Sequence, residues 1–305
     1  MSDRITLLVN PTAGRGRVLE RWPQLPASLG ARAEVEVIVS GSVEELATAA
    51  RNAAARGRTL VVAGGDGTVN RVLNAVHGCR ARLGVLPVGS GNDFARALGL
   101  PEDPLTAAAR IAGGGGTPLD LVGVNGHLFS TVAGVGLIAD ASALVARLGR
   151  DGRPGRLVLQ ALGRRVYLAA AAAQIALRRC ITTRLTVEGS GNEGAWRWAG
   201  ACHALLVVNL PWLGAGLRLP VQSSRADGEC EICVVPEDRR LRLAQNLTCL
   251  KTGRPVSVGA LLVFRASRAM IVCEQTVAFA GDGEIFEHGK QFAIEVRPRA
   301  VEVIV

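Results

Sequence analysis

Five consecutive residues, Gly64-Gly65-Asp66-Gly67-Thr68, stand between two segments of different periodicity. Before them, Thr59-Leu60-Val61-Val62-Ala63 is an unbroken apolar run that reads as a buried strand. After them, the apolar residues of Val69–Val76 recur at helical spacing as far as Gly78. Strand, glycine turn and helix together are how α/β proteins hold phosphate. Glycine permits close approach and φ > 0, and the N–H groups of the helix start point at the anion. An acid inside such a turn repels phosphate unless a metal bridges the two, so Asp66 points to Mg²⁺ with a polyphosphate. A plain left-handed turn accounts for one or two of the glycines only.

The surrounding pattern is α/β. Strands are expected at 5–9, 34–39, 59–63 and 83–88, and helices near 15–29, 43–56, 69–77, 92–99 and 104–112. That alternation predicts a parallel sheet with helices on both faces. A chain of 305 residues exceeds the usual single core, so a second domain is expected. Gly113-Gly114-Gly115-Gly116-Thr117-Pro118 breaks the alternation and sets the expected domains at 1–118 and 119–305, with the last strands able to return to the first. Beyond the break short strands dominate: 119–124, 127–132, 182–188, 195–199, 202–209, 229–235, 260–264, 269–274, 291–297 and 300–304. Gly189-Ser190-Gly191-Asn192 reads as a hairpin loop, and one Ala-rich helix at 155–178 and a shorter one at 238–250 interrupt the strands. The expectation is an antiparallel β-sandwich with appended helices.

Charge and composition narrow the partners. The net charge is +9, nearly all of it arginine, since Lys251 and Lys290 are the only lysines. Such a balance favours anionic ligands or surfaces. Four Trp, six Phe and one Tyr, not interleaved with the basic residues, speak against nucleic acid. Cysteines at 79, 180, 202, 230, 233, 249 and 273 form one C-x-x-C, whose members fall on opposite faces of a strand. Without a second pair they read as small buried hydrophobes of a cytoplasmic protein rather than a zinc site. The N-terminus carries no signal-peptide pattern, and Arg164 and Arg165 interrupt the longest apolar stretch, so no spanning helix is expected.

Parallel strands put their C-terminal ends on one edge, where ligands of α/β sheets sit. Three such ends carry turn chemistry. The first is Asn10-Pro11-Thr12-Ala13-Gly14, followed by Arg15 and Arg17 as phosphate partners. The second is the Gly64–Thr68 turn. The third is Gly89-Ser90-Gly91-Asn92-Asp93, with Asn92 or Asp93 as N-cap. Together they offer two acids, Asp66 and Asp93. No P-loop is present. Gly134-Val135-Gly136-Leu137-Ile138-Ala139 imitates a dinucleotide fingerprint without the acid such a site needs further on. Far downstream, Gly281-Asp282-Gly283-Glu284 reads either as a tight hairpin turn or as a carboxylate pair with one member a general base in an interdomain cleft. Ser224-Arg225-Ala226-Asp227-Gly228-Glu229 is a further acidic turn, able to offer a hard cation Asp227 and carbonyl oxygens.

Asn10-Pro11 with Gly14, the two glycine turns and the late Asp282-Gly283-Glu284 resemble, in order and nearly end to end, the diacylglycerol kinase catalytic family, most closely its bacterial soluble lipid-kinase branch. The resemblance implies an α/β nucleotide domain and a β-sandwich domain, with ATP between them. It implies that Gly64, Gly65, Asp66, Gly67 and Thr68 bind ATP phosphates, with Asn10 beside them, and that Ser40 and Ser90 contact the nucleotide through their hydroxyls. It makes Glu284 the first choice and Asp282 the second as proton acceptor from a lipid hydroxyl. Mg²⁺ is then organised by Asp66 and Asp93, directly or through water. A structural Mg²⁺ matches Ser224, Asp227 and Glu229, largely through backbone oxygens, although Glu229 stands where an apolar residue is usual and Thr131 where asparagine is. The lipid is left open. So is the membrane contact, for which Arg147, Arg150, Arg153, Arg156, Arg164 and Arg165 form the basic cluster at an inner-membrane surface. The competing readings are an NAD kinase, disfavoured because the only Asn-Glu pair is Asn192-Glu193 in a hairpin loop, and a catalytically silent nucleotide- or lipid-binding regulator.

Overall fold

The computed structural model describes residues 4–305 except 17, 19–21, 31–32, 80, 178–181, 215 and 223. Arg17 and Cys180 therefore lie outside the described residues. The chain divides into two compact units, Met1–Leu121 with Pro298–Val305, and Val122–Arg297.

In the first unit, Val-, Ile- and Leu-rich segments form β1 (Arg4–Val9), β2 (Glu34–Val39), β3 (Thr59–Gly64) and β4 (Arg82–Pro87). β1 pairs in parallel with both β2 and β3, and β3 pairs in parallel with β4. The chain's last strand adds Glu302 and Val303 in parallel beyond β4. β1 thus lies where strand order reverses, the usual ligand position of such sheets. Packed with these strands are α1 (Leu25–Ser28), α2 (Val43–Ala55), α3 (Asp66–Val76), α4 (Asp93–Ala97) and α5 (Pro104–Gly113). Ser42 caps α2 by accepting from the Glu45 N–H at 3.1 Å, while Glu45 reaches back to the Gly41 N–H at 2.6 Å. Leu7, Val9, Val61, Ala63, Leu86, Ala107 and Ile111 pack into one core.

Around the expected 15–29 helix the described residues show 3-10 turns at Ala13–Gly16 and Trp22–Gln24 before α1 and helical backbone at Val18, while 17 and 19–21 lie outside the described residues. Gly14 and Gly16 have φ of 58° and 85°, and Pro23 and Pro26 deny the segment two backbone donors. The tetraglycine closes α5 at Gly113 and opens β5 (Gly116–Val124), so the cut between the units falls within a strand.

The second unit is antiparallel. It contains β6 (His127–Phe129), β7 (Val132–Gly136), β8 (Thr183–Gly191), β9 (Gly194–Val208), the short pair β10 (Trp212–Leu213) and β11 (Leu217–Arg218), and β12 (Cys230–Pro236), β13 (Leu262–Ala266), β14 (Arg268–Gly281) and β15 (Glu284–Ile304). β9 pairs with β8, β7 and β12 along its length, and β14 pairs with β8, β7 and β15, so these long strands wrap one core. That core contains Val135, Leu185, Leu205, Ile232, Ile271, Phe279 and Phe292. The hairpin turn is Asn192-Glu193, shifted from the expected Gly189–Asn192 loop, because Gly189, Ser190 and Gly191 pair in β8 with Trp196, Ala195 and Gly194.

The single Ala-rich helix is a correction. Its span is broken into α7 (Gly152–Leu162) and α8 (Val166–Ala176), with Gly163 at φ 49° between them. Ahead of them α6 (Leu137–Arg150) occupies residues for which no helix was expected. The last helix, α9 (Arg240–Thr252), matches its expected span within two residues. The strands expected at 195–199 and 202–209 are one, as are those at 291–297 and 300–304, the latter bridged through Arg299 at φ 49°.

Cys230 and Cys233 do face opposite sides of β12, one in the main core and one in a second apolar cluster. Burial pushes the thiols of Cys202 and Cys233 up to about 12 and that of Cys273 to about 11, which suits packed hydrophobes rather than ligands.

Candidate active site

The ends of β1, β3 and β4 in the first unit meet because glycine lets them. A Cβ on Gly89 would overlap Gly65 Cα, and one on Gly64 would lie 2.5 Å from Thr68 Cβ. Gly64, Gly65, Gly67, Gly89 and Gly91 all lie outside the positive-φ region, so a left-handed turn does not explain them, and close approach explains Gly64, Gly65, Gly89 and Gly91. The Asn10 side chain joins the first end to the second. Its Oδ1 accepts from Thr12 N at 3.0 Å and Thr12 Oγ1 at 2.8 Å, and its Nδ2 donates to Thr68 Oγ1 at 2.8 Å. Ser40 is buried, and its hydroxyl donates to the Val9 carbonyl at 3.3 Å, beside the same strand end. Ser90 is exposed.

The two acids play parts that their positions in sequence did not reveal. Asp66 Oδ1 accepts from the Phe94 N–H at 3.0 Å and so caps α4, joining the second end to the third. Asn92 or Asp93 was the expected cap, but Asn92 at φ 58° makes no side-chain cap bond, and its amide instead closes on Gly89 N and O at 2.9 and 3.1 Å. Asp93 is buried and pairs through Oδ1 with Arg96 at 2.8 Å. The second oxygens of both acids lie around Gly91: a Cβ there would lie 2.5 Å from Asp66 Oδ2 and 3.9 Å from Asp93 Oδ2. Two carboxylates thus flank Gly91 beside the start of α3, whose N-cap Gly65 offers no capping side chain, and a hard cation carrying phosphate oxygens is the kind of ligand such acids suit.

In the second unit, Asp282-Gly283 is a two-residue hairpin turn with φ of 47° and 86°, as Gly281 pairs with Glu284. The hairpin reading of this segment is therefore correct, and the turn is unusually well held. Asp282 Oδ2 accepts from Ser130 N at 3.2 Å, Oδ1 accepts from the Thr131 hydroxyl, and the Asp282 N–H donates to Val132 O at 3.3 Å. Asn209 secures that loop by donating to Ser130 O at 3.0 Å, and Tyr167 of α8 donates its hydroxyl to Gly283 O at 3.1 Å. Glu284 is exposed at the start of β15. Tyr167 and Asn209 were not singled out in the sequence; Tyr167 is the only tyrosine, a signal that went unused.

The Ser224–Glu229 turn does not fit a Mg²⁺ bound through its carboxylates. Asp227 Oδ1 accepts from Glu229 N at 3.2 Å, and its Oδ2 is ion-paired with Arg265. Glu229 is buried, with Oε1 accepting from Asn192 N at 2.6 Å and Oε2 at 3.1 Å from Arg265. Ser224 is exposed, and no group of three His, Cys, Asp or Glu side chains arranged for a metal occurs among the described residues. The Gly134-x-Gly136 motif is likewise structural. A Cβ at either glycine would overlap backbone of β9, at Leu205 O and His203 O.

Comparison with known proteins agrees with this division. The diacylglycerol kinase catalytic domain family matches residues 4–124, and the YegS C-terminal NAD kinase beta sandwich-like domain family matches residues 146–305. The chain is 28% identical to a diacylglycerol kinase of Bacillus subtilis, over 92% of this chain and 89% of that protein. It is 31% identical to a probable lipid kinase YegS-like of Pseudomonas aeruginosa, over 80% of this chain and 76% of that protein. In fold it is similar to a diacylglycerol kinase crystal structure from Bacillus anthracis strain Sterne, with TM-score 0.74, 19% identity and coverage of 99% of this chain and 96% of that one. The chain belongs to the diacylglycerol kinase catalytic-domain family of alcohol-acceptor phosphotransferases.

Proposed function

We propose that this chain is an ATP- and Mg²⁺-dependent lipid kinase that transfers the γ-phosphate to the hydroxyl of diacylglycerol or a related lipid. The observation that carries the reading is the placement of Asp66 and Asp93 on either side of Gly91, at a sheet edge closed by Gly65 against Gly89. In this reading the N–H groups at the start of α3 bind phosphate oxygens, and Asn10 keeps Thr68 oriented. Bound Mg²⁺ supplies charge neutralisation for the transferring phosphoryl group. Glu284 takes the proton of the lipid hydroxyl as its oxygen forms the new bond to phosphorus and the bond to ADP breaks. Asp282, whose two oxygens already accept from Ser130 and Thr131, holds the hairpin that presents Glu284.

We also propose that α7 and its flanks meet an anionic membrane surface. Leu157 and Val158 are exposed, as are Arg147, Arg150 and Arg165, so apolar and basic groups share this part of the surface. No helix among the described residues is long and apolar enough to cross a membrane.

Incubation with γ-labelled ATP, Mg²⁺ and vesicles containing diacylglycerol, phosphatidylglycerol, a sphingoid base or ceramide, with NAD as control, tests the reaction. Label in a lipid is the expected result. Label in NAD alone, or nucleotide binding without transfer to any acceptor, overturns it.

A further inference from the structure

The turn at Ser224–Glu229 already contains a cation, and that cation is an arginine. Its two carboxylates have four oxygens. Three accept hydrogen bonds, from Glu229 N, the Arg265 guanidinium and Asn192 N, and the fourth lies 3.1 Å from the same guanidinium. The surroundings are built to keep this arrangement. Arg265 on β13 stands directly opposite Glu231 on β12, so a third carboxylate shares its face. The Arg265 carbonyl accepts from Trp196 Nε1 at 2.6 Å, and the Trp196 ring stacks on Phe264 at 4.5 Å, which fixes the strand that carries the guanidinium. Gly191 is required as well: a Cβ there would overlap Glu229 Oε1, pushing it off the hairpin turn that it secures.

A divalent ion entering this turn must displace a guanidinium from Asp227 or sit beside it. Displacement frees the guanidinium from Asp227 and disturbs its pairing with buried Glu229, and coexistence sets a positive ion against a positive group at short range. Backbone carbonyls alone supply no charge to offset either cost. We infer that Arg265 is the built-in cation of this turn, replacing the structural Mg²⁺ that the family resemblance implies, so that the second unit holds its shape without a divalent ion. This inference concerns stability and stands whether or not the phosphotransfer reading does.

Thermal unfolding of the full chain after EDTA treatment, with and without added Mg²⁺ and in the absence of nucleotide, tests it. Wild type and Asp227→Asn are expected to respond to Mg²⁺ equally, because any Mg²⁺ effect then comes from elsewhere in the chain. Arg265→Met, which leaves Asp227, Glu229 and Glu231 uncompensated, is expected to lose stability and to regain a few degrees in Tm on adding Mg²⁺. Arg265→Lys keeps the charge and is expected to fold and to be as indifferent to Mg²⁺ as wild type, which preserves the test if the methionine variant does not fold. A Mg²⁺-dependent rise in wild type that Asp227→Asn abolishes overturns the inference. So does Arg265→Met matching wild-type stability without the ion, or Arg265→Lys acquiring Mg²⁺ dependence.

Discussion

Side chains that look alike in sequence do different work here. Asp66 and Asp93 were readable as a pair of acids on one sheet edge, because parallel strands place their ends together. That Asp66 spends one oxygen capping a helix 28 residues away was not readable, since the bond depends on how the two turns nest. Glu229 was visible only as an anomaly at an apolar position; its partners, Asn192 in the β8–β9 turn and Arg265 on β13, come from other parts of the chain. Asp140 stands in the first turn of α6, and burial pushes its carboxyl from the usual 3.8 up to about 6. A raised acid weakens the fold when ionised. Stability therefore falls as pH rises from about 4 through about 6 and stays lower above that. Asp140→Asn removes the cost. The group is partly solvated, so screening leaves on the order of 1 kcal/mol. Thermal unfolding is expected to show the variant more stable than wild type at pH 8, with the difference shrinking toward pH 4. An equal advantage at both ends would assign the effect to packing instead of charge.

At the scale of elements, strands were more legible than helices. Apolar runs such as Leu60–Ala63 and Leu83–Leu86 have no other use than burial in a sheet. The long Ala-rich helix failed where glycine intervened, at Gly163. α6 was missed because its start, Gly136-Leu137, belongs to a motif that drew attention as a nucleotide fingerprint. The glycines of the site were found for a partly wrong reason, since tight packing and not backbone handedness selects Gly64, Gly65, Gly89 and Gly91. Their positions give a sharp contrast. Gly89→Ala forces a methyl into Gly65 Cα and is expected to cost about 1–3 kcal/mol, with loss of ATP binding. Gly113→Ala, with nothing within 4 Å, is expected to stay within about 0.5 kcal/mol of wild type. Thermal unfolding and nucleotide titration of the two variants check this. Unaltered ATP affinity in Gly89→Ala would separate the turn packing from the nucleotide.

For the whole molecule, the sequence supplied the two-part plan, and chain order alone could not supply the boundary. The cut falls inside β5, and the chain re-enters the first unit through Pro298–Val305, the end of one strand where the sequence pattern suggests two. The membrane reading also belongs to this scale, because it draws on the net charge of +9 as well as on α7. Flotation with vesicles is expected to rise with anionic lipid content and to fall in Leu157→Glu; binding that ignores both removes α7 from the account. The kinase reading assigns phosphate to the first unit and the base to the second, so it is tested most directly by separating nucleotide binding from turnover in one variant. For Glu284→Gln, ATP affinity measured by titration is expected to match wild type within about twofold, while kcat for lipid phosphorylation falls on the order of 10²-fold or more. A Glu284→Gln enzyme that turns over at the wild-type rate would contradict it.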